Sequence, residues 1–173
     1  MSRQHDVMWR DQSVFINESQ YIGRVASAEA TLTRQTTTVG GLGGVGQMQV
    51  PNGKFEASTA TVNFQSVAPS DLLTMVGNDG WVELRMSGNV RILDASSGTR
   101  KLDSVQTRIK GWCLNPPVPG MNDQGAPYSA NISVAVLEIS NNAGTIFKVD
   151  FINGIVEPSQ DTASLSIGIT IPL

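Results

Sequence analysis

The sequence predicts an all-β protein, an antiparallel β-sandwich or barrel with one short flanking helix. Runs of β-branched and alternating residues recur along the chain, and short turns rich in glycine and asparagine separate them. Only one stretch has the apolar spacing of a helix. At 173 residues, the chain is long enough to bury a conventional core, and we expect a single domain over residues 1–173.

The N-terminal third is predicted to begin with a flexible arm and to continue in strands. Residues 1–13 are mostly polar, so we expect an arm that frays in the isolated subunit. Residues 14–16 are predicted to form a short strand. Residues 21–38 are rich in threonine, contain only Gly23 as a turn residue, and are predicted to form one long strand.

The least constrained stretch is a glycine-rich loop inside a predicted hairpin loop at residues 36–53. It consists of Val39, Gly40, Gly41, Leu42, Gly43, Gly44, Val45 and Gly46, and the turn Pro51-Asn52-Gly53 follows it. Glycine loses the most backbone entropy on ordering, so such a loop is mobile unless something binds it. It could be a nucleotide cradle, a mobile lid, or an arm that is ordered by another subunit.

The nucleotide cradle is the weakest of the three interpretations. The letters of residues 41–46 fit G-x-G-x-x-G, but a phosphate cradle needs a helix N-terminus directly after the loop. Residues 47–50 read as a strand, and no Lys-Ser or Lys-Thr pair completes a P-loop.

The middle of the chain is predicted to hold one strand and the helix. Residues 54–65 are predicted as a strand. The helix is expected to start at Pro69, with Asp71 favourable in its first turn, and to stop at Gly77. Its predicted apolar face consists of Leu72, Met75 and Val76.

The second half of the chain is predicted to be a series of antiparallel strands. Residues 81–93 alternate between an apolar face and a polar face, and residues 100–114 return as a second long strand after a hairpin loop. A loop at residues 115–128 separates this hairpin from strands at 130–140 and 145–152. A last strand is predicted at residues 163–171, where Ala163, Leu165, Ile167, Ile169 and Ile171 alternate with Ser164, Ser166, Gly168 and Thr170.

The charge pattern excludes a basic nucleic-acid binder. Only 16% of residues are charged, against about 25% in an average domain, and the net charge is −3. Beyond Lys110 the only basic residue is Lys148, so we expect that DNA near the protein would not be bound tightly. A surface poor in charge suits contact with copies of the same chain or, equally, a sandwich with threonine-rich outer faces. The basic residues Arg85, Arg91, Arg108 and Lys110 are expected to pair with acids across strands or subunits.

The sequence offers little material for catalysis. His5 and Cys113 are the only histidine and cysteine, and they are far apart in sequence. Cys113 is interpreted as a core residue. We expect no catalytic, cofactor-binding or metal-binding residues, and no enzyme activity. The sequence shows no signal peptide and no apolar run long enough to span a membrane, which favours folding in a reducing cytoplasm.

The N-terminal sequence resembles that of a known protein family. The run Val14-Phe15-Ile16-Asn17, then Tyr21, Gly23 and Val25, then Thr31-Leu32-Thr33-Arg34 before Gly40-Gly41, resembles the N-terminal third of major tail tube proteins from contractile-tailed phages. The order of strands, short helix and long hairpin is also similar. Two features depart from the family: Glu18 stands where it has glycine, and residues 154–173 read as a strand where it often has a helix.

The resemblance implies a structural protein of the virion. Such subunits form hexameric rings that stack into a hollow tube, and DNA passes through the lumen. The sheath encloses the tube and drives it through the host envelope, and baseplate and tail terminator proteins are the further partners. Assembly is expected in the host cytoplasm, and the glycine-rich residues 39–46 become a candidate ring interface. The resemblance does not separate a phage tail from the inner tube of a phage-derived bacteriocin or injection system.

A soluble β-sandwich that binds carbohydrate or another ligand is the alternative function. It predicts a monomer or dimer with aromatic side chains clustered on an exposed face. Trp81, Trp112 and Tyr128 show no such grouping in the sequence.

Overall fold

The described part of the computed structural model comprises residues 4–21, 24–41, 44–94, 100–118 and 128–157. Within it the chain is mainly antiparallel β structure with one short α-helix, which confirms the predicted fold class. The elements are β1 Gln4–Ile16, β2 Ser19–Gln20, β3 Val25–Ala30, β4 Arg34–Val39, β5 Met48–Phe55, β6 Thr59–Phe64, α1 Pro69–Val76, a 3₁₀ turn Asn78–Gly80, β7 Trp81–Asp94, β8 Arg100–Asn115, β9 Tyr128–Asn141, β10 Gly144–Asp150 and β11 Ile155–Glu157.

Nine of these strands form one antiparallel sheet that divides at β9. The sheet runs in the order β11-β10-β9-β8-β7-β1-β2. One edge of β9 pairs with β8, and its other edge is shared: residues 128–133 pair with β6, and residues 136–141 pair with β10. Strand β3 continues the sheet beyond β6, as β11 does beyond β10. Consequently β6 and β10 lie end to end along β9.

The core fills the space between β3, β6 and the first half of β9 on one side and β1, β7 and β8 on the other. Its largest fully buried side chains include Phe64, Ile16, Leu84 and Ile109. The ring of Tyr21 packs edge-on against Phe64, with ring centroids 6.0 Å apart. Each large apolar side chain buried in this way contributes about 1.5–3 kcal/mol relative to an exposed one.

The helix α1 has the predicted limits but not the whole predicted apolar face. It starts at Pro69, and Gly77 ends it by donating its N–H to the Leu73 carbonyl at 2.8 Å. Met75 is buried against the core, whereas Val76 is 57% exposed. Successive helical residues are about 100° apart, so the short helix turns Met75 inward and Val76 outward. Placing Val76 on the buried face was therefore wrong.

The predicted N-terminal arm is a strand from Gln4 onward. Residues of β1 pair with β7 from Gln4↔Asp94 to Ile16↔Leu84, with two register shifts along the way. Residues 4–13 of the predicted arm are thus part of a strand, and the flexibility of the arm stays a prediction. A backbone ladder needs no apolar side chains, and the long β7 leaves an edge that β1 covers.

The predicted strand over residues 21–38 is two strands with different partners. Strand β3 pairs with β6 in the main sheet, and β4 pairs with β5 in a separate two-stranded sheet. The predicted strand 54–65 is likewise divided between the end of β5 and β6. The turn predicted at residues 51–53 lies inside β5. The pairing register shifts there, between Arg34 and Thr36 on the opposite strand, and Gly53 has a φ of 82°. This irregularity is a bulge, and glycine supplies the left-handed residue it needs.

The long hairpin of β7 and β8 is confirmed. Val82, Leu84 and Val90 are buried along one face of β7, as the alternation predicts. Short turns at residues 142–143 and 151–154 separate β9 from β10 and β10 from β11. The hairpin loop at residues 95–99, most of the predicted loop 115–128 and the predicted strand 163–171 lie outside the described residues.

Candidate assembly interface

The β4–β5 hairpin stands apart from the main sheet. Among the described residues its two strands pair only with each other, from Arg34↔Phe55 to Val39↔Met48. Most residues of both strands are exposed. An isolated two-stranded hairpin is marginally stable in water, so this one would be stabilised by packing against a further surface.

The base of the hairpin is fixed to the body. The Glu56 N–H donates to the Thr33 carbonyl at 2.8 Å. The ring of Phe55 packs edge-on against Phe147 of β10, with ring centroids 6.3 Å apart. The Arg34 guanidinium lies 5.7 Å from the centre of the Phe55 ring. These contacts hold the root of the hairpin and leave its tip free of the described core.

The described residues of the predicted interface, 39–41 and 44–46, form this tip. Val39 ends β4, and Gly44 donates its N–H to the Gly41 carbonyl at 3.1 Å within the loop. Val45 is fully exposed, and Met48 is 65% exposed at the start of β5. The structure thus brings apolar side chains to a surface that the core does not cover.

Two residues of the predicted interface, Leu42 and Gly43, lie outside the described residues.

Two of the loop glycines are not required by the fold of the subunit. A Cβ built on Gly41 or Gly46 would meet no atom within 4 Å. A Cβ on Gly40 would approach Gln47 Cγ at 2.9 Å, and one on Gly44 would lie 3.2 Å from the Gly41 carbonyl oxygen. None of these four glycines has a positive φ. Space around Gly41 and Gly46 within the subunit therefore leaves room for close approach by another chain.

A second exposed apolar surface lies at the end of β8. Trp112, Leu114 and Val118 are 44%, 57% and 73% exposed. Trp112 lies opposite Trp81 across the β7–β8 ladder, with the rings edge-to-face and their centroids 4.7 Å apart. The interpretation that these tryptophans are not grouped was therefore wrong. The signal was the register of the hairpin, which places residues 81 and 112 opposite each other once the loop position is known.

A buried polar cluster joins the chain after β2 to the start of α1. The Tyr21 hydroxyl donates to Asp71 Oδ1 at 3.1 Å, Arg24 forms an ion pair with Asp71 Oδ2, and the Ala68 N–H donates to Oδ2 at 2.7 Å. Burial raises the pKa of the Asp71 carboxyl, but the hydrogen bonds from Ala68, Arg24 and Tyr21 outweigh it and hold the pKa below its usual range. Burial and the bond to Asp71 raise the pKa of Tyr21 to about 12.

The sequence pointed to only part of this cluster. Asp71 was expected at the helix N-terminus, and its side-chain partners Arg24 and Tyr21 lie 47 and 50 residues away in the chain. No local pattern links residues at that separation.

The predicted pairing of basic residues across strands is observed between β7 and β8. Arg108 donates to both carboxylate oxygens of Glu83, at 2.6 and 3.1 Å, and Lys110 lies 3.7 Å from the same group. The hydrogen bond from Arg108 is the main reason that the pKa of Glu83 is lowered. Arg85 instead lies 4.6 Å from the centre of the Phe15 ring, and the Arg91 side chain lies outside the described part.

The described residues contain no group of three or more metal-ligating side chains. Cys113 is half-buried against the core, and burial raises the pKa of its thiol, which makes it a poor nucleophile. His5 lies on β1. Over the same part of the chain, no helix has the length and apolar character needed to cross a membrane.

Comparison with known proteins identifies the family. The sequence model of a family described as "Phage tail tube protein FII" matches residues 9–158. No curated protein matches the chain. The matched region begins inside β1 and extends past β11, so it includes the main sheet, the helix and the β4–β5 hairpin. The chain belongs to the phage tail tube protein family, and it is therefore a structural component of a bacteriophage tail that assembles with itself and with other tail components.

Proposed function

We propose that the protein forms hexameric rings, which stack into the inner tube of a contractile tail. The observation that carries this proposal is the β4–β5 hairpin, whose tip exposes Val45 and Met48 and packs on no described element of its own subunit. In a family of tube proteins, the natural partner of such a tip is the next subunit or the next ring. Ordering of residues 39–46 on assembly would offset the entropy cost of the glycines.

Ring formation would also cover the exposed strand edges of the sheet. Strand β1 is thirteen residues long, and over most of that length β7 is its only partner among the described strands. An exposed edge of this length pairs with other chains unless it is blocked. Closure of identical subunits into a ring covers every such edge with a copy of the same chain.

The charge distribution suits a tube through which DNA passes. A lumen rich in free cations would bind phosphates and slow the passage of DNA. The net charge here is −3, and Glu83 neutralises much of the field of Arg108 and Lys110. We therefore propose that DNA passes through the lumen without being held there.

The remaining roles follow from this assignment. The tube would be enclosed by a sheath protein, started on a baseplate and closed by a tail terminator protein. It would be assembled in the host cytoplasm, reside in the virion tail, and pierce the host envelope when the sheath contracts. Each subunit would act as a single domain over residues 1–173, without a cofactor, metal or catalytic site.

Electron microscopy of the purified full chain tests the proposal. At high protein concentration, or in the presence of tail baseplates, we expect rings or tubes with a central channel. A protein that remains monomeric under both conditions would contradict it.

A further inference from the structure

The chain contains two Asn-Gly pairs, Asn52-Gly53 and Asn153-Gly154, and all four residues are exposed. An asparagine followed by glycine is prone to spontaneous loss of its side-chain amide, because glycine has no Cβ to hinder attack by its own backbone nitrogen. Sequence and exposure make the two pairs equal candidates for this reaction. Their hydrogen bonds distinguish them.

The first pair lies in the irregular part of β5. In the described register the partners of β4 are Pro51 and then Phe55, so residues 52–54 have none. The Gly53 nitrogen therefore lies outside the ladder, and a Cβ on Gly53 would meet no described atom within 4 Å. The backbone at Asn52 can thus move toward a reactive geometry without breaking strand pairing.

The hydrogen bond at Asn52 favours the reaction. The Lys54 N–H donates to Asn52 Oδ1 at 3.1 Å and holds the side chain close to the backbone of the two residues that follow. Attack by the Gly53 nitrogen on Asn52 Cγ turns this carbonyl oxygen into an oxyanion. The Lys54 N–H therefore stabilises the charge that develops in the transition state.

Asn153 is held in the opposite way. Its Nδ2 donates to Asp150 Oδ2 at 2.7 Å, and its backbone N–H donates to Asp150 Oδ1 at 2.9 Å. The carboxylate thus fixes the amide group that would have to leave, and its negative charge opposes the anions formed along the reaction. Asn153 is therefore protected although glycine follows it.

Asn141 has one of the two favourable features of Asn52. Its Oδ1 accepts the Ala143 N–H at 2.9 Å, in the same arrangement as at Asn52. The next residue is Asn142, whose Cβ hinders attack by its nitrogen. Among the described asparagines and hydrogen bonds, only Asn52 combines a following glycine with a backbone donor to its Oδ1.

We infer that Asn52 is a site of spontaneous deamidation in this subunit. The Gly53 nitrogen loses its proton to hydroxide and bonds to Asn52 Cγ. The bond from Cγ to Nδ2 then breaks, and Nδ2 takes a proton from water and leaves as ammonia, which restores the hydroxide. The cyclic imide adds water at either carbonyl and opens to an aspartyl or an isoaspartyl residue. The isoaspartyl product adds a backbone carbon between Pro51 and Phe55, so it alters the bulge through which β5 pairs with β4.

Tryptic peptide mapping of the full chain tests this inference. Cleavage after Arg34, Lys54 and Lys148 separates the two sites, because residues 35–54 and 149–173 each contain a single asparagine. When the folded protein is incubated in mildly alkaline buffer, we expect the first site to convert at least about tenfold faster than the second. In the chain unfolded in urea, where neither hydrogen bond exists, the two rates should become similar.

Asn52→Gln is the matched variant. It keeps the amide group, but the longer side chain would have to close a larger and less favourable ring, so conversion in residues 35–54 should nearly disappear. Equal rates at the two sites in the folded protein, or faster conversion at Asn153, would overturn the inference. A rate ratio that is the same in urea would also overturn it, as would undiminished conversion of residues 35–54 in Asn52→Gln.

Discussion

Asn17 and Glu18 form the two-residue loop between β1 and β2, and both have positive φ angles, of 45° and 70°. This is the geometry of a type I′ turn, which favours asparagine followed by glycine. The Asn17 side chain also accepts the Glu83 N–H at 2.7 Å and donates to the Thr74 carbonyl at 3.3 Å. One asparagine thus joins the turn to β7 and to α1, whereas Glu18 occupies a left-handed position at a steric cost.

Replacing Glu18 with glycine should therefore stabilise the protein. A left-handed conformation costs a non-glycine residue about 1–2 kcal/mol, and the greater freedom of glycine in the unfolded state takes back about 0.4–1 kcal/mol. We expect Glu18→Gly to raise the free energy of unfolding by up to about 1 kcal/mol, measured by urea denaturation. Glu29→Gly, at an exposed position of β3, is the control and should destabilise; a loss of stability in Glu18→Gly would contradict the account.

Gly111 is required by the packing of β8 on β9. A Cβ at this position would overlap the carbonyl oxygen of Ser133 and approach the Ala135 nitrogen at 3.3 Å. The register of the two strands shifts between Lys110 and Gly111, so the backbones come together here. Glycine is required here by the pairing of two strands that are distant in sequence, and the residues around Gly111 do not indicate this requirement.

Gly111→Ala should lower the free energy of unfolding by roughly 3 kcal/mol or more, because the obstacle is backbone and cannot rotate away. Thermal unfolding of the monomer measures it. Gly46→Ala is the matched control, since its Cβ would meet open space, and it should leave the midpoint almost unchanged. A small shift in Gly111→Ala, equal to that of the control, would show that the close approach of β8 and β9 is not a rigid feature.

At the scale of elements, the start of α1 depends on the charge of Asp71. Its folded pKa is lowered, whereas an unfolded aspartate has a pKa of about 3.9. The unfolded state therefore takes up the proton first as the pH falls. The stability that this carboxylate contributes is present above the unfolded pKa and is lost as the pH falls through the folded pKa.

We expect the stability difference between the wild type and Asp71→Asn to be larger at pH 7 than near pH 3, measured by urea denaturation at both pH values. Tyr21→Phe removes one hydrogen-bond donor to the carboxylate and should reduce part of the same pH dependence. A difference that grows on acidification would refute the assigned ionisation.

The β4–β5 hairpin is the element on which assembly is proposed to depend. Val45→Asp places a charge on a side chain that no described contact holds in the subunit, and we expect this variant to fold normally and to lose polymerisation. Gly41→Ala and Gly46→Ala test close backbone approach in the same way, because alanine fits both positions in the isolated subunit. Circular dichroism checks the fold, and sedimentation of polymers measures assembly.

Leu73→Asp is the matched control for Val45→Asp. Leu73 is 76% exposed and belongs to α1 rather than to the hairpin. Polymers that form normally from all three loop variants would remove residues 39–46 from the interface.

At the scale of the whole molecule, the sequence pattern predicted those features that depend on neighbouring residues. The alternation in β7, the proline and glycine limits of α1 and the turns around β10 are properties of neighbouring residues, and the structure has them. The division of residues 21–38 into β3 and β4 arises because the two strands pair with different partners, β6 and β5. Hydrophobic periodicity and strand propensity do not encode the choice of partner. The polar β1 was missed because its ladder with β7 requires backbone groups rather than apolar side chains.

The candidate interface stays a prediction, and the sequence marked it only by local features. Glycine content marked residues 39–46 as unusual, and the absence of a following helix removed the phosphate-binding interpretation. The detachment of the hairpin from the main sheet, the exposure of Met48 and the Trp81–Trp112 pair depend on three-dimensional pairing. The sequence could not supply these.

The central claim is that copies of this subunit close into sixfold rings that stack into a tube. Rotational averaging of electron micrographs of particles assembled from the purified chain tests this claim most directly. The account predicts sixfold symmetry around an open channel, with density of the β4–β5 hairpin reaching a neighbouring subunit or ring. Particles without sixfold symmetry, or hairpins that touch no other subunit, would contradict it.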